Sequence, residues 1–235
     1  MDSTEDFLQI GGHENAFEMI GLYKIRKLTC KKESEFYQEL QNKESLSKLK
    51  PFTPTFHHAM QFQQTGKNDF YVTLENLVEP FKNPNILDLK LGMQLYDEDA
   101  NIEKKQRMIE KCSRTTSGSL GLRIAGMKYA NGKVHDKEFG RQLNQAEFKQ
   151  ELLKFIHPIQ SPILNDVVSL RNALSTIEGR FISSSILIIY ESENPCKYTF
   201  KLIDFAHTTV KPGIGAHQDI LESLDRFISI LQESQ

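Results

Sequence analysis

The chain has 235 residues, 39% hydrophobic and 26% charged, which suffices for one sizeable core or for two lobes sharing a cleft. Its 29 basic and 31 acidic side chains nearly cancel, so no global field draws it to nucleic acid or membrane, and any polyanion site has to be a local patch. Cys30, Cys112 and Cys196 are odd in number, far apart and free of C-x-x-C spacing, which argues against a disulfide framework or a zinc cluster.

From the amino terminus, FLQI (7–10), LYKIRKL (22–28), TFHHAMQF (55–62) and FYVTLENL (70–77) carry the β-branched and aromatic residues of strands, with a hairpin turn at TGKND. Between them CKKESEFYQELQNK predicts a helix, with Phe36 and Leu40 on one face and Glu33, Glu39 and lysines around them. The two prolines of VEPFKNPN then break the pattern, placing a hinge near residues 76–84 and ending a small sheet-plus-helix lobe.

The next segment, NPNILDLKLG (83–92), sets an acid and a base inside an apolar run. Period two puts Leu87, Leu89 and Leu91 on one face and Ile86, Asp88 and Lys90 on the other. Either the leucines anchor a core while Asp88 and Lys90 enter a cleft, or the charged face is simply solvated. NIEKKQRMIEKC (101–112) reads as a helix, SRTTSGS as a polar loop, and LGLRIAGMKYANGKV as strand, Asn-Gly turn, strand. Residues 144–157 and 161–178 read as helices divided by Pro158 and Pro162. FISSSILIIYE is a nearly wholly apolar, central strand, and KYTFKLIDF alternates Tyr198, Phe200, Leu202 against Thr199, Lys201, Ile203. Residues 218–232 close the pattern as an amphipathic helix.

No phosphate-loop, dinucleotide-fingerprint, H-E-x-x-H or G-x-S-x-G motif is present, which removes Walker-type, Rossmann, zincin and hydrolase readings. What remains is a lysine-bearing strand in a β lobe, a hinge, the D-x-K strand, and Asp204 where a strand ends in IDFAHT. That order matches a two-lobed phosphotransferase, in which a lysine braces the nucleotide phosphates and an aspartate holds Mg²⁺. DFA in place of DFG and the missing H-R-D argue against an ordinary protein kinase. On a helix, Lys104, Arg107, Lys111 and Arg114 follow at spacings of three, four and three, lining one face with cations and no acidic partner on that face. Such a face suits a phosphate-rich substrate. His57 and His58 lie on a lobe strand without metal-type partners and read as structural, and the hydroxyls of Ser183, Ser184 and Ser185 as satisfying nearby backbone.

Pro84, Asp88, Lys90 and Gly92 form P-x-x-x-D-x-K-x-G, which resembles the motif of the inositol polyphosphate kinase family. QIGGH (9–13), RKL (26–28), LENL (74–77), EKCSRTTSGSLGLRIAGM (110–127), FGRQL (139–143), SSSILIIY (183–190) and IDFAHTT (203–209) resemble it in order, and within the family are most similar to inositol hexakisphosphate kinases. The resemblance implies an α+β, two-lobed fold, distantly protein-kinase-like, with a small β-rich N-lobe (1–78), a larger mixed C-lobe (79–235) holding an inositol-phosphate-binding helical segment (98–118), and an ATP cleft between them. It implies that Lys27 contacts ATP phosphates, with Lys24 the fallback; that Glu75 and Leu77 offer backbone groups to adenine; and that Asp88 lies near the ribose and reaction centre. It further places Lys90 at the phosphates where transfer occurs, Asp204 on Mg²⁺ and nucleotide, and His207 beside the inositol. The basic stripe Lys104, Arg107, Lys111, Arg114 becomes the substrate wall. The closing segment departs from the family's aspartate and Gly-Tyr run, and Asp219 receives no role. The implied activity is transfer of the ATP γ-phosphate to inositol hexakisphosphate, giving a diphosphoinositol. The alternatives are a multikinase or 3-kinase acting on free hydroxyls, and a catalytically idle inositol-phosphate-binding module. MDSTEDFLQI lacks a signal pattern and no apolar run approaches about 18 residues. The chain is expected to be a monomer in the cytoplasm or nucleus, with no nucleic-acid or membrane partner.

Overall fold

The computed structural model describes residues 17–64 and 67–233. In the N-lobe, β1 (Phe17–Ile20), β2 (Lys24–Thr29), β3 (Phe56–Gln64) and β4 (Lys67–Glu75) form an antiparallel sheet in the order β1-β2-β4-β3. Because Lys27 pairs with Val72 and Ile25 with Leu74, Lys27 lies on the same face as these buried residues. Helix α1 (Lys31–Asn42) buries Phe36, Tyr37 and Leu40, and with them Glu33. The Phe36 ring stacks on Phe205 at 4.2 Å and Tyr37 meets it edge-on at 5.4 Å, so the helix of one lobe packs directly on a loop of the other.

The C-lobe is organised by β5 (Pro84–Leu91), the middle strand of a five-stranded sheet. Helices α2 (Ile102–Ser113) and α3 (Thr116–Leu120) follow it, then β6 (Leu122–Lys128), β7 (Val134–His135), α4 (Lys137–Gln142), α5 (Gln145–Ile156) and α6 (Gln160–Ser175). The remainder is β8 (Gly179–Phe181), β9 (Ser185–Glu191), β10 (Tyr198–Ile203), β11 (Thr208–Val210) and α7 (Gln218–Gln232). The sheet order is β10-β9-β5-β6-β7, with β8 and β11 paired separately. Leu87, Leu89 and Leu91 are fully buried in the main core, as period two requires, while Ile86, Asp88 and Lys90 take the opposite face. The linker between the lobes is pinned rather than loose: the Glu191 carboxylate accepts from the Lys82 and Asn83 amides at 2.7 and 2.8 Å.

Several elements differ from the sequence reading. The polar stretch SRTTSGS contains α3, a short helix that forms because Gly118 and Gly121 admit backbone and side chains no Cβ would tolerate. FISSSILIIYE is two strands, broken where Ser183 takes a left-handed φ of +57°. Strands β1 and β11, helix α4 and a 3₁₀ helix over Glu44–Phe52 were not anticipated. Residues 7–10, the motif at 9–13 and the hairpin tip at 65–66 lie outside the described residues.

Candidate active site

Where the N-lobe sheet meets the C-lobe, the Lys27 ammonium lies 2.7 Å from Asp204 Oδ1 and 2.8 Å from Glu33 Oε1. Glu33 is wholly buried, and also accepts from the Thr29 hydroxyl and, at 3.1 Å, from the Phe205 amide. Burial opposes the charge on Lys27, but Asp204 and Glu33 outweigh it and raise its pKa above the ordinary lysine value. Asp204 itself sits in the left-handed region, φ +65°, a conformation aspartate tolerates better than most residues. Its carbonyl is held by the Ser184 hydroxyl at 3.1 Å. Lys24, the fallback, pairs with Glu75 across the sheet and alternates to the opposite face from Lys27. At the end of β4, the Glu75 amide donates to the Thr55 carbonyl and the following Asn76 amide to that of Tyr23, while the Leu77 N–H donates to no group among the described residues.

Asp88 and Lys90 share the cleft face of β5. Lys90 pairs across the sheet with Ser185 of β9 on one side and Arg123 of β6 on the other, and its ammonium donates to the Ser183 carbonyl at 2.8 Å. Asp88 Oδ1 and Arg123 Nη1 are buried without hydrogen-bond partners, and the buried Ser185 hydroxyl lies beside the Asp88 carboxylate. Orphaned polar atoms clustered on one buried face are what a ligand site leaves when the protein alone is considered. Burial, then the charge of Asp204, raises the Asp88 pKa to about 6 against the pull of Lys90, the Ser185 hydroxyl and Arg123.

Past Lys90 the cleft becomes basic. Gly140 lets α4 lie against β6 so closely that a Cβ there would fall 1.8 Å from the Ile124 carbonyl oxygen, and Arg141 is thereby set beside Arg123. Lys111 of α2 joins them; burial and then Arg141 and Arg123 lower its pKa, with Glu138 the opposing carboxylate. Lys104 and Arg107 stand on earlier turns of the same helix, half-buried and exposed. The stripe is not free of acids as the spacing implied: Arg114 is exposed and ion-paired with Glu110, four residues back. His207 Nδ1 lies 2.8 Å from Asp97 Oδ2, and Lys32 of α1 reaches the other Asp97 oxygen at 3.4 Å. Asp219, to which sequence gave no role, accepts from the Met93 and Gln94 amides, each at 2.9 Å, and backs Gly92, whose φ is +89°. The glycine closing D-x-K-x-G is therefore a turn that only glycine enters easily, clamped by the first turn of α7. His58 meets Thr73 Oγ1 at 3.2 Å, a contact between adjacent strands.

Glu33, Asp97, Arg123 and Arg141 were missed from sequence. The available signal for Glu33 was its place in the helix after a lysine-bearing strand, the arrangement that gives kinases their lysine–glutamate pair. Arg123 had none beyond being a cation within an apolar strand.

A family profile described as inositol polyphosphate kinase matches residues 71–232. Inositol hexakisphosphate kinase 3 of Mus musculus is 34% identical over 205 residues, covering 72% of this chain and 52% of that protein; its Homo sapiens counterpart is 32% identical with the same coverage. The chain thus spans about half the length of these curated relatives. Among solved structures, the S. cerevisiae inositol phosphate multikinase Ipk2 in complex with ADP and Mn²⁺ superposes with a TM-score of 0.77 at 28% identity, covering 90% of this chain and 99% of that one. Profile, relatives and superposition agree: the chain belongs to the inositol polyphosphate kinase family, with that family's two-lobed α+β fold.

Proposed function

We propose that the protein transfers the γ-phosphate of ATP to a phosphate group of inositol hexakisphosphate, forming diphosphoinositol pentakisphosphate. The carrying observation is the row Ser185, Lys90, Arg123 across three strands, with Asp88 Oδ1 and Arg123 Nη1 buried unpartnered, Asp204 close enough to act on Asp88 and Arg141 and Lys111 close enough to act on Arg123. The hexakisphosphate kinases among the relatives support that acceptor.

In this reading Glu75 and Leu77 present backbone groups to adenine, and Lys27, held by Glu33, braces the phosphates. Asp204 takes Mg²⁺, with the bare Asp88 oxygen as a second carboxylate within its field. The donor type fits the ion: Asp204 and Asp88 are hard carboxylates close enough for the charge of one to raise the pKa of the other, and would hold Mg²⁺ together with the phosphates it serves. When bound, the ion neutralises charge on the transferring phosphates. Lys90, Arg123, Lys104, Arg107, Lys111 and Arg141 hold the polyanionic acceptor and His207 touches it, while Arg114, tied to Glu110, contributes least. Inositol hexakisphosphate has no free hydroxyl, so its attacking oxygen is already ionised near neutral pH and needs no strong base.

The second reading, a multikinase acting on hydroxyls, draws support from the likeness to the yeast multikinase and from Asp88, whose pKa of about 6 suits a general base. A ³¹P spectrum after incubation with Mg-ATP and hexakisphosphate separates them. A new phosphoanhydride pair is expected; unchanged hexakisphosphate alongside monoester formation on tris- or tetrakisphosphates selects the second reading.

A further inference from the structure

Ala206, His207 and Thr208 leave the metal-side loop, while Asp97 lies on a separate turn between Gly92 and α2. That turn is held by the Ala100 amide on the Asp97 carbonyl at 3.1 Å, by Lys105 on the Glu98 carbonyl at 2.6 Å, and by Arg180 of β8 on the Glu98 carboxylate at 3.3 Å. The Asp97 side chain is only 17% exposed, although it sits on a surface turn, because His207 and Lys32 cover it.

We propose that Asp97 is a positioning residue for substrate binding: its carboxylate fixes the His207 ring through Nδ1, leaving Nε2 as the nitrogen that meets a phosphate of the inositol substrate, and Lys32 fixes Asp97 in turn. The chemistry of the contact is one-directional. Burial opposes the charge on Asp97, but the hydrogen bond from His207 and the charge of Lys32 prevail and hold its carboxyl below the ordinary carboxylate range. An ionised carboxylate only accepts hydrogen bonds, so Nδ1 carries the proton. With Nδ1 turned to the carboxylate, Nε2 is the ring nitrogen left to meet a ligand. Lys32 adjoins Glu33 in α1, so the helix that holds Lys27 for the nucleotide also holds Asp97 for the acceptor.

The inference rests on the reading of His207 as a substrate contact, and one arm of its test is independent of turnover. Long-range ¹H–¹⁵N spectra of the ligand-free protein at about pH 8 should show His207 protonated at Nδ1 in wild type and in Asp97→Asn, whose amide oxygen still accepts, and protonated at Nε2 in Asp97→Ala. In kinetics, Asp97→Ala should raise KM for inositol hexakisphosphate about tenfold, with kcat and the KM for ATP within about twofold of wild type, and Asp97→Asn should recover part of the loss. Added to His207→Ala, Asp97→Ala should do nothing more. An unchanged tautomer in Asp97→Ala, equal effects on both substrates, or full additivity with His207→Ala overturns the proposal. A wild-type protein that phosphorylates no inositol phosphate, yet shows the tautomer change, contradicts the functional reading and leaves the ring-orienting contact standing.

Discussion

At the N-lobe end of the candidate site one cation, Lys27, is held by two carboxylates, Glu33 and Asp204, while at the far end Lys111 has Arg123, Arg141 and Lys137 around it and Glu138 as the opposing carboxylate. The first arrangement is complete within the protein: burial costs the charges their hydration, and the mutual attraction offsets it. The second is less complete: Arg141 is paired with Glu138, but Arg123 is buried with Nη1 unpartnered, and burial and then Arg141 lower its pKa against the pull of Asp88. A site that binds a dense anion can leave cations to repel one another until the ligand arrives, at a cost in stability of the free protein.

The largest effect is expected where the complete end meets the chemistry. Asp204→Asn keeps a residue that tolerates the left-handed backbone but loses the anion, and turnover should fall on the order of 10³-fold or more with the far-ultraviolet circular dichroism unchanged. Near-normal turnover refutes the metal role. Glu33→Ala strips a wholly buried partner from Lys27 and from the Phe205 amide, and should cost about 3–5 kcal/mol in chemical denaturation. A loss below about 1 kcal/mol shows that Asp204 alone holds the lysine.

Asp88 tests the boundary between the two ends. Its folded pKa of about 6 exceeds the ordinary 3.8, so between these values the folded protein keeps a proton that the unfolded chain releases. The carboxylate therefore destabilises the ligand-free fold fully above about pH 6, less as pH falls, and not at all once both states are protonated below 3.8. Asp88→Asn should raise Tm at pH 7.5 by a few degrees, roughly 2–4 °C per kcal/mol, and the gain should vanish near pH 4. A gain independent of pH contradicts the assignment. The smallest effect belongs to α2: Lys111→Ala should raise KM for the polyphosphate several-fold, on the order of 1 kcal/mol, and Arg114→Ala by less than about twofold because Glu110 already holds that arginine. Equal losses make the stripe a uniform surface.

Much of this was legible in the residue pattern because period and chain order carry it. Alternation along ILDLKL assigned both faces of β5, including the buried leucines, and apolar spacing placed α1, α2 and α7 to within about two residues. What escaped depends on partners distant in sequence or on backbone geometry. Glu33 reads as one more charge on an amphipathic helix until Lys27 and Phe205 close on it, and Asp97 reads as an exposed turn acid until His207, 110 residues later, meets it. Arg123 and Arg141 are isolated cations in the chain and neighbours only because Gly140 brings α4 onto β6. The break between β8 and β9 follows from the φ of Ser183, which a run of serines does not announce.

The contrast between the two ends is tested most directly by melting the ligand-free protein with one cation removed from each, at pH 7.5 and low salt. Lys27→Met leaves Glu33 and Asp204 facing each other without their shared cation, and should lower stability by about 3 kcal/mol or more, roughly 6–12 °C in Tm. Arg123→Met removes a buried charge for which lost hydration and the repulsion of Arg141 outweigh the pull of Asp88 and Glu138, and should melt at or above the wild-type temperature. If Arg123→Met loses as much stability as Lys27→Met, the far end is as fully compensated as the near one, and the account of a cleft built complete at one end and open to a polyanion at the other is wrong.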